Sequence, residues 1–350
     1  MNLSEIFFGL KVLDQKKAIA YLFLLFSLAY GIRVVILVPS LPQQALFYSL
    51  GVVVLSVGRI LGVVNPVPFP ELLVLLADKI RIGVLSAQLN GMAMDEFLLA
   101  FDRNFGYAGM FVGKVFYRFP VVSAFFHTLY YGEMLAIPLM YTVLPVECRK
   151  QYGAAIISLG AIIPLMYRIC PGAGPLYLLH RFPYELPGSA FPHARQIGAA
   201  LNTTPSGHFA WALMMFWFAT KYATKPVRIA AGLYAVVMVL ATLGTGEHYI
   251  IDLVLSVPFA AGILALVYKQ WKYAAIAMIA VVAWCYSLQN GLVLVLPPIV
   301  AWILVGATVA VFGLYECDSS PHWAPQIPDA GRGPENCRTS SAKSSICCGS

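Results

Sequence analysis

Charge is what this chain lacks. Only 11% of its 350 residues are Asp, Glu, Lys or Arg, and 60% are apolar; a soluble domain carries about 25% charged and about 45–50% apolar residues. With a mean hydropathy of +0.77, that scarcity excludes an ordinary soluble chain and points to a polytopic membrane protein. Nucleic acid is excluded as a partner too. The formal charge of +7 comes from 23 Lys and Arg against 16 Asp and Glu, but the basic residues lie mainly in short turns between apolar runs and form no stripe interleaved with aromatics. Clustered carboxylates and His/Cys ligand sets are missing as well, so no metal and no other cofactor is expected. Four of the seven cysteines, Cys317, Cys337, Cys347 and Cys348, sit in the C-terminal tail without zinc-finger spacing. No internal repeat is evident.

What is present is a series of apolar runs. Residues 18–38 and 46–64 are each of the length that spans a bilayer, about 20 residues. NPVPFP at 65–70 cannot be regular helix. Residues 71–90 carry Asp78, Lys79 and Arg81, which suits an interfacial helix by composition. Residues 91–118 read as extramembrane structure with short helices, 120–144 as a span, and 147–150 as a charged turn. A short run at 153–167 follows, then a Pro- and Gly-rich loop at 168–204. Further spans are expected near 273–288 and 292–314. From 316 the composition turns to Ser, Pro and Gly, which predicts a disordered tail.

Residues 203–262 are where chemistry gathers. His208 opens a membrane-length helix, a basic turn follows, and a second apolar helix returns the chain so that His248 lies at the same end. Asp252 stands four residues beyond His248, on one helix face with it. A neutral imidazole can attack phosphorus if its other nitrogen is held in one tautomer, and Asp252 can hold it. A second, protonated imidazole can give a proton to a leaving alkoxide. Ser206 and Gly207 open the first helix, where free N–H groups favour a phosphoryl oxygen. The same TPS start is also a good helix cap by itself. The loop before it supplies Arg168, Arg181 and Arg195, whose planar forks suit phosphate, and it reads as a lid over the site. His127, in contrast, reads as a hydrogen-bonded bundle histidine and forms no obvious pair with Glu133, six residues on.

PSGH at 205–208 and GEHYIID at 246–252 resemble the second and third signature motifs of the type 2 phosphatidic acid phosphatase superfamily. YRICPGAGPLY at 167–177 and FDRNFGY at 101–107 resemble segments of its inositol phosphorylceramide synthase-like branch. The chain departs from the phosphatase pattern where Ala241 and Thr242 stand in place of a Ser-Arg pair, and a first motif of Lys followed by Arg-Pro is not intact. The resemblance implies His248 as nucleophile, Asp252 as its orienting partner and His208 as general acid, with no metal.

The expected fold is all-α: a polytopic membrane helical bundle with a six-helix phosphatase-like catalytic core and additional flanking transmembrane helices. Its parts are N-terminal membrane helices at 1–90, the catalytic domain at 91–268, C-terminal helices at 269–315 and the tail at 316–350. The expected activity is transfer of a phosphoryl group from a phospholipid or lipid phosphate to a lipid or polyol acceptor through a phosphohistidine. Hydrolysis by water, giving a lipid phosphate phosphatase, and a non-catalytic carrier or scaffold are the alternatives. Lys221, Lys225 and Arg228, Lys269 and Lys272, and Arg149 with Lys150 mark cytoplasmic turns. The histidines then open to the opposite face, of a bacterial inner membrane or of a Golgi or endoplasmic reticulum membrane. With an inside N-terminus, parity requires 71–90 to span and puts Asn104 outside.

Overall fold

The computed structural model describes residues 94–179, 181–184 and 202–318. The expected spans at 18–38, 46–64 and 71–90, Arg195, and the tail beyond 318 lie outside the described residues. Every regular element among those described is helical: α1 (Asp95–Asp102), α2 (Ala108–Arg118), α3 (Pro120–Tyr131), α4 (Glu133–Val143), α5 (Val146–Ile169), α6 (Pro175–Leu178), α7 (Gly207–Tyr222), α8 (Lys225–Thr245), α9 (Ile250–Val267), α10 (Trp271–Gln289) and α11 (Pro298–Asp318), with 3₁₀ turns at Arg103–Phe105 and Leu292–Leu294.

The helix α9 is the axis of the bundle. Its sequence, IIDLVLSVPFAAGILALV, is apolar on all sides, and a helix hydrophobic all round belongs in an interior. It packs against α10, α11, α7 and α5. Small residues allow the closest approach: a Cβ on Gly262 would come within 3.2 Å of the Ala277 methyl on α10. The outer helices are apolar on the side turned away from this axis. On α8, Ile229, Leu233, Val236 and Leu240 are exposed at helical spacing, while Met238, Ala241 and Thr242 face inward. An apolar face without a protein partner fits lipid. Four helices, α5, α8, α9 and α10, are long and apolar enough to cross a membrane, and the bent pair α2–α3 would make a fifth. The bundle is thus that of a polytopic membrane protein, with four or five crossings among the described residues by length and hydropathy.

Several expected boundaries shift. The span at 120–144 is two helices divided at Gly132, and α2 meets α3 at a bend of 117°, as a broken span or a re-entrant loop. Pro120, with no N–H to continue the ladder, starts α3 afresh. The run at 153–167 is not short: α5 begins at Val146 and takes in the charged residues 147–150 that read as a turn. Arg149 makes this possible by turning back to donate to the Leu144 and Thr142 carbonyls at 2.8 and 2.7 Å. Helix α7 has 16 residues and is shorter than a membrane-length helix, because Ser206 caps its start and Pro226 restarts the chain after Ala223. The last helix begins at Pro298 rather than near 292 and continues to Asp318, past the expected start of the tail.

Candidate active site

The site forms where α7, α8 and α9 end together. Helix α8 closes on Gly246, whose φ of +76° is the left-handed cap that glycine adopts without penalty. Residues 247–249 cross to α9. Across from them runs the segment 202–206, which enters α7. The two are stitched by backbone: the Ser206 N–H donates to the Asp252 carbonyl at 3.2 Å, and the Ser256 hydroxyl donates to the Ser206 carbonyl at 2.9 Å. The PSGH and GEHYIID stretches are therefore one structural unit.

His248 is held through Nδ1. The Thr203 carbonyl lies 3.0 Å from that nitrogen. A carbonyl can only accept, so Nδ1 carries the proton and Nε2 keeps its lone pair. Asp252 Oδ2 stands 3.5 Å from the same Nδ1. The sequence reading gave Asp252 the whole orienting role; in the fold the Thr203 carbonyl makes the shorter contact, and the carboxylate adds its charge from the side. Both Asp252 oxygens have further donors. Oδ2 accepts the Tyr249 N–H at 2.8 Å, a capping contact at the start of α9, and Oδ1 accepts the Thr204 hydroxyl.

His208 is the second residue of α7, and its Nδ1 donates to Glu133 Oε2 at 2.6 Å. The Tyr130 ring lies 4.0 Å from the imidazole, centroid to centroid, and Trp211 meets it edge-on. His208 and His248 are 7% and 5% exposed, so each retains only a sliver of surface for a substrate to reach. Ser206 caps α7 by accepting the Phe209 N–H at 3.3 Å. Gly207 is tightly placed: a Cβ there would come within 3.2 Å of the Tyr167 hydroxyl.

The expected arginines are less closely tied to this centre. Arg168 is exposed in the last turn of α5, where its neighbour Tyr167 is the side chain that reaches Gly207. Arg181 is also exposed, beside Phe182, whose ring packs on Gly246 two residues before His248. Among the described residues neither arginine has a hydrogen bond or ion pair.

Four buried contributors escaped the sequence reading. Glu133 was set aside because it does not pair with His127. The signal was there, in the one carboxylate of an apolar run. His127 itself bonds the Ser123 carbonyl at 2.9 Å within its own helix, as a bundle histidine would. Asp95 and Asp102 belong to the stretch 91–118 that reads as extramembrane structure with short helices, a reading that says nothing of their burial, and they are 1% and 3% exposed. Asp95 accepts the Ala173 and Gly174 N–H groups, each at 2.9 Å, and the Tyr249 hydroxyl at 2.7 Å. Asp102 accepts the Ile250 N–H at 2.9 Å. Burial pushes the Asp95 carboxyl up to about 6 against the pull of its hydrogen bonds, and pushes Asp102 well above the usual carboxylate range. Thr203 was the fourth, since only the fold brings a backbone carbonyl to a histidine 45 residues away.

Among the described residues no group of three or more His, Cys, Asp or Glu side chains is placed to hold a metal ion. No curated protein and no solved structure matches the chain. Residues 96–266 do match a family model, that of the PAP2 superfamily. This segment runs from α1 into the last turn of α9 and contains His208, His248, Asp252 and Glu133, so the unit built from the PSGH and GEHYIID stretches lies wholly within the part of the chain that is similar to the PAP2 superfamily.

Proposed function

We propose that this protein is an integral-membrane lipid phosphotransferase working through a phosphohistidine at His248. The observation that carries the reading is the Nδ1 contact of His248 with the Thr203 carbonyl at 3.0 Å, beside Asp252, which leaves Nε2 as the free nucleophilic nitrogen. Nε2 attacks phosphorus, the bond from phosphorus to the leaving oxygen breaks, and that oxygen takes a proton from His208. An acceptor hydroxyl then returns its proton to His208 and displaces the phosphoryl group from His248. Charge developing on phosphorus is met by the N–H groups that open α7, with Arg168, Arg181 and Arg195 as the side-chain cations. The match to the PAP2 superfamily supports phosphoryl chemistry on lipids. The branch-like stretches at 101–107 and 167–177 favour a second lipid or a polyol over water as acceptor. Lys221, Lys225 and Arg228 lie at the far end of α7 and α8, which by the positive-inside rule turns the histidines to the non-cytoplasmic face.

The test offers phosphorus-labelled phosphatidate and phospholipids to the purified protein in lipid nanodiscs, with and without a diacylglycerol or inositol acceptor. Wild type should form labelled phosphoenzyme and His248→Ala none. His208→Ala should form it slowly from a substrate with an alkoxide leaving group, and a nitrophenolate leaving group should restore part of the rate. Label released only as inorganic phosphate, with every acceptor present, would make the protein a lipid phosphatase. Full turnover in His248→Ala would overturn the assignment.

A further inference from the structure

Glu133 is fully buried, and the reaction as written does not use it. It is the first residue of α4, directly after the break at Gly132, where the positive end of the helix stabilises a carboxylate. The break itself needs glycine, since a Cβ on Gly132 would come within 2.7 Å of the Thr128 carbonyl. Two tyrosines hold the backbone one turn to either side. Tyr234 on α8 donates to the Leu129 carbonyl at 3.1 Å, and Tyr152 on α5 donates to the Ile137 carbonyl at 3.0 Å. The backbone on either side of Glu133 is thus held by both neighbouring helices, and the Glu133 Oε2 meets His208 Nδ1 at 2.6 Å.

We propose that Glu133 is a positioning residue for His208: it accepts the Nδ1–H, turns Nε2 toward the leaving oxygen, and holds the imidazole in its charged, proton-donating form. The kinetic half of this inference rests on the phosphoryl-transfer reading above; the structural half does not. When the bond from phosphorus to the leaving oxygen breaks, the electron pair goes to oxygen and the proton comes from His208 Nε2. Glu133 stays ionised throughout and exchanges no proton. A pair that merely stitched α4 to α7 would have the same geometry, but it would not respond to the basicity of the leaving group.

That response is the test. Full-length wild type and Glu133→Gln are given phosphatidate, which expels an alkoxide, and p-nitrophenyl phosphate, whose leaving group needs little protonation. On phosphatidate, kcat should fall about 100-fold, the scale of a positioned acid, and on p-nitrophenyl phosphate by less than about 10-fold. An equal fall on both substrates overturns the proposal. A second readout needs no turnover and no variant that folds. In ¹⁵N-histidine-labelled wild type the His208 Nδ1–H should appear as a low-field proton, as a short bond to a carboxylate requires, and it should move upfield in Glu133→Gln if that variant folds. If wild type turns over neither substrate, the phosphoryl-transfer reading fails while the proton signal still decides the Glu133 contact. Absence of that signal in wild type refutes it.

Discussion

Asp252→Asn separates charge from geometry at His248. Asparagine matches aspartate in shape. Its carbonyl oxygen can keep the Tyr249 N–H, and its amide can donate to the Thr204 hydroxyl, which reverses from donor to acceptor. The Thr203 carbonyl still fixes the tautomer, so the change removes one negative charge 3.5 Å from Nδ1 and little else. At an effective dielectric of about 20, two unit charges at that distance interact by about 5 kcal/mol. At about 1.4 kcal/mol per decade, the loss of phosphoenzyme formation should be on the order of 10³-fold. Rapid-quench measurement of labelled phosphoenzyme reads the rate, and a thermal melt should show nearly wild-type stability. Asp252→Ala is the contrast: it also strips the α9 cap and leaves the buried Tyr249 N–H without its acceptor, at a cost of about 1–3 kcal/mol. A rate for Asp252→Asn within about threefold of wild type would refute the reasoning, because a charge of that size could not then be helping the imidazole.

Two further outcomes follow from the loops that frame the site. At Gly174, φ is +95° and a Cβ would lie 2.5 Å from the Glu247 carbonyl, so Gly174→Ala must displace the residue preceding His248. It should lower stability by about 3 kcal/mol and remove activity, whereas Gly106→Ala, at φ +63° with open space, should cost only about 1 kcal/mol; parallel thermal melts and turnover compare the two. The Asp95 carboxyl is raised from 3.8 to about 6 in the fold. Its contribution to stability is therefore complete below the unfolded value near 3.8 and is lost as pH rises through about 6. Asp95→Asn should remove about 3 kcal/mol from the pH dependence of stability over that window, and melts of both proteins from pH 4 to 7 that run parallel would contradict it.

The helical class and the His248–Asp252 contact were legible because they are local. Asp252 is one turn from His248, and the charge-poor runs between turns announce membrane helices. What was hidden depends on residues distant in sequence. Glu133 and His208 are 75 positions apart, and only the packing of α4 on α7 brings them together. Asp95 and Asp102 look solvated because an acidic helix near a membrane protein's loops ordinarily is. Their burial becomes affordable only once the backbone N–H groups of residues 173, 174 and 250 point at them. The helix breaks were misplaced for a related reason. Hydropathy averages over a window, whereas α3 and α4 part at a single residue, Gly132, and α5 absorbs three charged residues by folding Arg149 back on the Leu144 carbonyl.

The two aspartates of α1 also impose an order on synthesis. Asp95 waits for the hydroxyl of Tyr249, 154 residues later, and Asp102 for the N–H of Ile250, 148 residues later. A ribosome has thus made α2 through α8 before either carboxylate meets its last donor. Loop closure over such a separation is slow and comes late in folding. Until then α1 is a charged helix better matched to water than to a bundle interior, and a nascent chain stopped short of residue 249 exposes it. Completion of the loop from Glu247 to Tyr249 and withdrawal of the two carboxylates from solvent are thereby tied together, so a chain that has buried both aspartates has also set His248 in its place.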